Sequence, residues 1–259
     1  MIDKIFYINL ERRNDRKKHL EQQINKFNLQ HLTERINAID GNKINIKNIS
    51  SKLITNKGKN DALNNIKLYI PLTKGAIGCA LSHMIVYEKI KTDNIINSAL
   101  ILEDDITFNN KFMEIFNNIL PYFPKDYDII YLGYTDSSIK YFKSKIINNY
   151  FIKSSRIYGL FGYIVSTKGA HKLLNIFPIT NQLDTEISNS FNKINAYAIL
   201  PKNKIIHSDP SSIYSKFGTD IQIREHFIYH SNKFDGNFLK IIFIFIFIFI
   251  FIYFLLLYV

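Results

Sequence analysis

Ser98-Ala99-Leu100-Ile101-Leu102-Glu103-Asp104-Asp105 is a continuous apolar run that stops abruptly in three acids. With no polar alternate in it, the run reads as a strand covered on both faces, inside a parallel or mixed sheet. The neighbouring stretches supply the cover. Upstream, Ala76, Ile77, Ala80, Leu81, Met84, Ile85 and Tyr87 form an apolar stripe at helical spacing from Lys74 to about Lys91. Downstream, Tyr127-Asp128-Ile129-Ile130-Tyr131-Leu132-Gly133 predicts a second strand, and Gly162-Tyr163-Ile164-Val165-Ser166 a third. The third leads through Thr167-Lys168-Gly169 into a helix carrying Ala170, Leu173 and Leu174. At the amino end, Lys4 to Leu10 predicts a strand, and Glu11 to Phe27 a surface helix with apolar positions at Leu20, Ile24 and Phe27. Ile36-Asn37-Ala38-Ile39-Asp40-Gly41 reads as a short strand ending in a turn. From Asn42 to about Tyr69 the chain is polar and rich in Asn and Lys, which predicts a flexible excursion over a site. Strands interleaved with helices make this an α/β fold.

At 259 residues, 47% apolar, with a net charge of +11, the chain is long enough to bury a core without staples, which excludes a disordered tail or a mini-protein. The single cysteine, Cys79, excludes an internal disulfide framework and any all-cysteine metal site. Heavy use of Ile, Asn, Lys, Phe and Tyr weakens the meaning of the positive charge. No zinc-finger spacing, aromatic RNA-binding signature or dense basic helix accompanies it, so nucleic acid is not an expected partner.

The opening Met1-Ile2-Asp3-Lys4 reads as the approach to a strand and not as a secretory signal. Everything from Ile241 to Val259 lacks a charge. As a helix that span is about 28 Å long, close to the roughly 30 Å hydrocarbon core of a bilayer. The expectation is a domain over residues 1–237 followed by a hydrophobic membrane anchor over 238–259, as a transmembrane helix. Lys233 and Lys240 ahead of the span place the folded domain on the cytosolic side.

The acids carry the chemistry. Ligands of open α/β sheets bind beyond the carboxyl ends of the strands. Clustered carboxylates raise one another's pKa unless a cation compensates them, and carboxylate oxygens suit Mg²⁺ or Mn²⁺. Alternation along an ending strand puts Glu103 and Asp105 on one side as the metal-facing pair, and leaves Asp104 to orient the loop or reach a ribose. The plainer alternative is an acidic turn that marks a strand end in solvent.

The chain resembles glycosyltransferase family 25, which holds bacterial lipooligosaccharide galactosyltransferases and eukaryotic collagen galactosyltransferases. Carrying the resemblance, in order, are Ile5-Phe6-Tyr7-Ile8-Asn9-Leu10-Glu11-Arg12-Arg13-Asn14-Asp15-Arg16 and Ala38-Ile39-Asp40-Gly41. Then come Lys74-Gly75-Ala76-Ile77-Gly78-Cys79-Ala80-Leu81-Ser82-His83, Leu102-Glu103-Asp104-Asp105 and Tyr131-Leu132-Gly133, followed by Gly162 to Ala170 and Leu183-Asp184. The resemblance implies a GT-A-like nucleotide-diphospho-sugar transferase fold, a Rossmann-like mixed sheet. It also implies a UDP-sugar donor, usually UDP-galactose, and an acidic motif in the role of the metal-binding Asp-x-Asp. The expected activity is metal-dependent transfer of a hexose, galactose or glucose, to a glycan, lipid-linked or protein acceptor, with inversion. A membrane-tethered nucleotide-sugar-binding protein that has lost turnover is the alternative.

On that footing Asp184 is the candidate base and Glu186 its reserve; the plainer role for Asp184 is a helix N-cap. Asn9, Arg13 and Arg16 follow the first strand, where an arginine grips phosphate or stacks on a base, or else lies on a solvated helix face. Gly75 and Gly78 permit either phosphate approach at a helix N-terminus or tight packing of that helix. Ser82 and His83 belong to the same motif and to the expected donor site. Cys79 and His83, one turn apart, read as core neighbours and not as a nucleophilic or metal-binding pair. His207 follows a late strand and is the candidate last metal ligand, with Asp209 a weaker one.

Overall fold

The computed structural model describes residues 2–64 and 72–208, all within one compact unit of the chain. The strands are β1 (Lys4–Asn9), β2 (Thr33–Asn37), β3 (Ser98–Glu103), β4 (Ile106–Phe108) and β5 (Ile129–Gly133). They continue with β6 (Ser144–Ile146), β7 (Phe151–Ser154), β8 (Gly162–Ser166), β9 (Ala196–Ile199) and β10 (Ile206–Ser208). The helices are α1 (Asn14–Lys26), α2 (Asn56–Asn64), α3 (Lys74–Thr92), α4 (Phe112–Ile119), α5 (Ser137–Lys140), α6 (Thr167–Leu174) and α7 (Leu183–Asn189).

Among the described residues, eight strands form one mixed sheet in the order β2-β1-β3-β8-β5-β9-β7-β6, and β10 pairs with β4 in a small second sheet. β1 runs parallel to both β2 and β3, while β8 lies antiparallel between β3 and β5. β5 is parallel to β9, so β1, β2, β3, β5 and β9 all point the same way. Ala99 to Leu102 are at most 1% exposed, as the unbroken apolar run of β3 requires of an interior strand. α3 is capped by Thr73, whose hydroxyl accepts the Ala76 N–H, and it buries Ile77, Ala80, Val86, Tyr87 and Ile90. It packs against α6 and against the 3₁₀ turn Gly41–Lys43.

Two expectations change. β2 starts at Thr33 and ends at Asn37, because its partner β1 holds Thr33 opposite Ile5 and the chain leaves the sheet after Asn37. The polar stretch after Gly41 is largely regular: 3₁₀ turns at Gly41–Lys43 and Ile46–Asn48 precede α2. Of its apolar residues Ile46, Ile54 and Ala62 are buried in the core, and Ile54 bridges to Ile179. Composition hid this, since three well-spaced anchors suffice to seat a polar segment. Residues 136–156, rich in Asn and Lys, contribute α5 and strands β6 and β7 of the main sheet. The remainder of the polar stretch, residues 65–71, lies outside the described residues, as do Asp209, the domain boundary at 237 and the span Ile241–Val259. Among the described residues no helix is long and apolar enough to cross a membrane.

Candidate functional site

Strand order reverses between β1 and β3: the chain moves outward from β1 to β2, then returns to the other side of β1 as β3. Such a reversal opens a crevice at the carboxyl ends of the two strands. The cleft found there is lined by Ile8 of β1, by Leu10 and Arg12 after it, by Arg16 of α1, by Ala38 to Asn42 after β2, by Gly75, Cys79 and Ser82 of α3, and by Glu103, Asp104 and Asp105.

The three acids have different surroundings. Asp104 turns inward and is 6% exposed, with Oδ1 2.9 Å from Arg16 Nη1 and Oδ2 accepting from Asn9 Nδ2 at 2.7 Å. Asn9 is held in turn, its Oδ1 accepting from Arg35 Nε at 2.9 Å. Burial raises the Asp104 carboxyl pKa even against Arg16 and Asn9. Glu103 and Asp105 are half-buried at the cleft, and Asp105 Oδ2 lies 3.4 Å from Arg16 Nη1. Burial first, then the charge of Glu103, pushes Asp105 well above the usual carboxylate range despite Arg16. A carboxyl raised in this way by burial and a neighbouring acid suits a hard divalent cation, whose charge removes the penalty. An acidic turn simply facing solvent does not describe this arrangement.

Arg16 therefore does not lie on a solvated helix face; 6% exposed, it lines the cleft and is paired there with Asp104 and Asp105. Arg13 caps α1 and pairs with Asp15 at 2.8 Å, and it does not line the cleft. Arg12, which sequence reasoning passed over, does line it, with Nε donating to Asp40 Oδ2 at 2.9 Å. Asp40 also accepts the Asn42 N–H, and these bonds hold its carboxyl low against the opposing pull of burial. The available sign was the Ala-Ile-Asp-Gly stretch, whose acid needs a cation and whose strand lies next to β1.

The glycines of α3 divide the two roles left open for them. A Cβ on Gly78 would stand 2.4 Å from Ile39 O, and one on Gly41 2.0 Å from Lys74 O. Both are packing glycines that let the loop after β2 lie directly on α3. Ser82 completes that contact, accepting the Ile39 N–H at 2.8 Å and donating to Gly78 O at 2.6 Å, so its hydroxyl locks the cleft wall. Gly75 lines the cleft beside it.

His83 is fully buried, with Nδ1 2.7 Å from the Tyr163 hydroxyl and Nε2 3.4 Å from Glu103 Oε1. The Tyr163 hydroxyl is 2.8 Å from that of Tyr87. Cys79 Sγ lies 3.8 Å from Glu103 Oε1, and the ligand atoms of Cys79, His83 and Glu103 all fall within 4.8 Å of one another. The two α3 residues are thus core neighbours, as their spacing implies, but Glu103 joins them. Burial, reinforced by Glu103, holds the Cys79 thiol far above its ordinary pKa.

Asp184 falls in the first turn of α7, but the N-cap position belongs to Gln182, so capping is not its role. Its Oδ2 accepts the Gly159 N–H at 3.2 Å; burial raises the carboxyl, and the charge of Glu103 adds to the effect. Glu103 and Asp184 therefore share one electrostatic neighbourhood. Glu186 is occupied otherwise: Oε1 accepts from the N–H groups of Thr180 and Asn181 and from Asn181 Nδ2, fastening the turn before α7. His207 pairs with Thr107 across β10 and β4, and the next pair sets Ser208 opposite Ile106, the residue after Asp105. The fold brings that strand beside the acids, with the imidazole exposed and outside the Cys79, His83 and Glu103 group. Burial and then Lys204 lower its pKa, which favours the neutral imidazole.

The profile of the family described as glycosyltransferase family 25 (LPS biosynthesis protein) matches residues 2–187. Human procollagen galactosyltransferase 2 is 28% identical over 190 residues, covering 71% of this chain and 29% of that protein. Procollagen galactosyltransferase 1-B of Xenopus laevis is 30% identical over 190 residues, covering 71% of this chain and 30% of its own length. The chain thus spans under a third of the relatives it matches. Among solved structures, a Drosophila beta-1,4-galactosyltransferase 7 mutant in complex with manganese, UDP-Gal and xylobiose aligns over 88% of this chain and 79% of that one, at 6% identity and a TM-score of 0.39.

Proposed function

The chain belongs to glycosyltransferase family 25, and from that premise we propose that it transfers a hexose, galactose or glucose, from a UDP-sugar to a hydroxyl of a glycan, lipid-linked or protein acceptor, with inversion at the anomeric carbon. One observation carries the reading. The acids ending β3 lie in a cleft at the switch point between β1 and β3, and Asp184 feels the charge of Glu103.

In this reading Glu103 and Asp105 would hold Mn²⁺ or Mg²⁺, with His207 the proposed additional ligand. A bound cation supplies positive charge against the diphosphate and the departing UDP. Asp104 keeps the triplet in place through Arg16 and Asn9. Arg12, on the cleft wall, presents donors to a diphosphate oxygen. Gly75 lets the donor approach the start of α3, while Gly78 and Ser82 hold the wall it would lie against. Asp184 takes the acceptor hydroxyl's proton as that oxygen bonds to the anomeric carbon and the bond from that carbon to the UDP oxygen breaks. Burial raises its pKa, the direction that strengthens a carboxylate as a general base. The uncharged run Ile241–Val259 supports a separate proposal, attachment to a membrane with the enzyme on the cytosolic face, on sequence alone.

The experiment is UDP release by the full chain from UDP-galactose, UDP-glucose and UDP-N-acetylglucosamine, with Mn²⁺, with Mg²⁺ and with chelator, beside Asp105→Asn. Release from one donor that needs the cation and vanishes in the variant supports the enzyme and names the sugar. Metal-dependent UDP binding without release from any donor points to the turnover-free alternative, and absence of both overturns the site.

A further inference from the structure

We propose that Cys79, His83 and Glu103 form a binding site for a thiophilic divalent cation, Zn²⁺ in preference to Mn²⁺ or Mg²⁺, that opens onto the cleft and takes Glu103 away from the acidic end of β3. The proposal rests on the geometry of these three side chains and stands whether or not the chain transfers a sugar.

Glu103 Oε1 is 3.4 Å from His83 Nε2 and 3.8 Å from Cys79 Sγ, and no pair of the three exceeds 4.8 Å. Tetrahedral zinc, with bonds of about 2.0–2.3 Å, sets its ligand atoms roughly 3.3–3.8 Å apart. Two of the three separations already match that edge length, and the third, between Cys79 and His83, is within 4.8 Å, so a small χ adjustment of Cys79 suffices. Cys79 and His83 occupy successive turns of α3, so one rigid helix supplies two ligands and the end of β3 supplies the other.

The surroundings are those of a ligating imidazole. Nδ1 of His83 is hydrogen-bonded at 2.7 Å to the Tyr163 hydroxyl, which is bonded in turn to Tyr87. An outer partner of this kind fixes which ring nitrogen faces a metal. Both Cys79 and Glu103 line the cleft, which gives an entry path and leaves the fourth position facing the cleft for water or ligand. One sulfur, one imidazole nitrogen and one carboxylate make a donor set that favours zinc over the hard cations suited to oxygen alone. As the Zn–S bond forms, the thiol proton leaves to solvent. Zinc held by Glu103 Oε1 draws that carboxylate from a hard cation held with Asp105, so zinc opposes any function that needs the second.

The test titrates Co²⁺, the spectroscopic stand-in for Zn²⁺, into the reduced full chain and follows the thiolate-to-cobalt charge-transfer absorption. The chain has one cysteine, so any such band reports Cys79. We expect the band in the wild type, its loss on adding Zn²⁺, its absence in Cys79→Ser, and its retention in Asp105→Asn. Tyr163→Phe should keep the band but weaken Co²⁺ binding by about 10–100-fold. Absence of the band in the wild type, or Co²⁺ affinity undiminished in both Glu103→Gln and His83→Gln, would overturn the site. No arm measures turnover, so failure here and failure of the transferase reading are separate results.

Discussion

Arg16 of α1 and Asp104 at the end of β3 meet at 2.9 Å while being 7% and 8% exposed at their side chains, so a helix that looks like surface in sequence carries a buried ion pair. Breaking such a pair leaves an uncompensated charge in the interior and costs about 3–5 kcal/mol. Asp104→Ala and Arg16→Met should each lower stability by that order in urea unfolding of the full chain. The double variant should cost clearly less than the two together; simple additivity would mean that the pair is not coupled.

Asp105 gives a prediction of opposite sign. Its folded carboxyl is raised by burial and by Glu103. A carboxyl raised on folding holds its proton longer than in the unfolded chain, so it subtracts stability as pH climbs from the ordinary carboxylate range through the raised value. Without added cation, Asp105→Asn should therefore melt higher than wild type near neutral pH and converge with it in acid. The same variant should lose Mn²⁺-dependent UDP binding in calorimetry. A lower melting temperature at neutral pH would show that Arg16 outweighs the repulsion.

Asp184 must be ionised to accept a proton, and its pKa is raised by burial and then by Glu103. The acid limb of the rate profile should accordingly sit higher than an ordinary carboxylate would set it, with activity falling as pH drops through the raised value. Asp184→Asn should lower kcat by about 10²–10⁴-fold with donor binding nearly unchanged. A wild-type kcat in that variant removes Asp184 from the mechanism, and Glu186, tied to Thr180 and Asn181, is poorly placed to replace it.

Gly78 carries the contact between α3 and the loop after β2, where an added Cβ would meet Ile39 O at 2.4 Å. Gly78→Ala gains helix propensity but forces two backbones apart, an overpacking cost of about 1–3 kcal/mol. Destabilisation accompanied by weaker donor binding is the expected outcome, read by urea unfolding and calorimetry. A variant more stable than wild type would show that the loop yields freely.

Much of the frame was legible before any coordinates. The apolar run of β3, the helical stripe of α3 and the βα opening are local patterns, and each element appears within a few residues of its expected span. The ordered motifs pointed to the family. Less legible were β4, β6 and β7, short strands with too few residues to show a period, and the polar stretch held by Ile46, Ile54 and Ala62.

Sequence by itself determined the α/β class, the acidic end of β3 and the family, because periodicity and motif order are properties of neighbours along the chain. Tertiary structure alone decided what each polar side chain faces. Asn9 and Arg16 reach Asp104 across 95 and 88 residues, and His83 meets Glu103 across 20. It paired Arg16 with Asp104 and Asp105 at the cleft, drew Arg12 to the cleft wall, and set Glu103 against Cys79 and His83. Partners so far apart in the chain are fixed by sheet order and helix packing, and no local spacing encodes them.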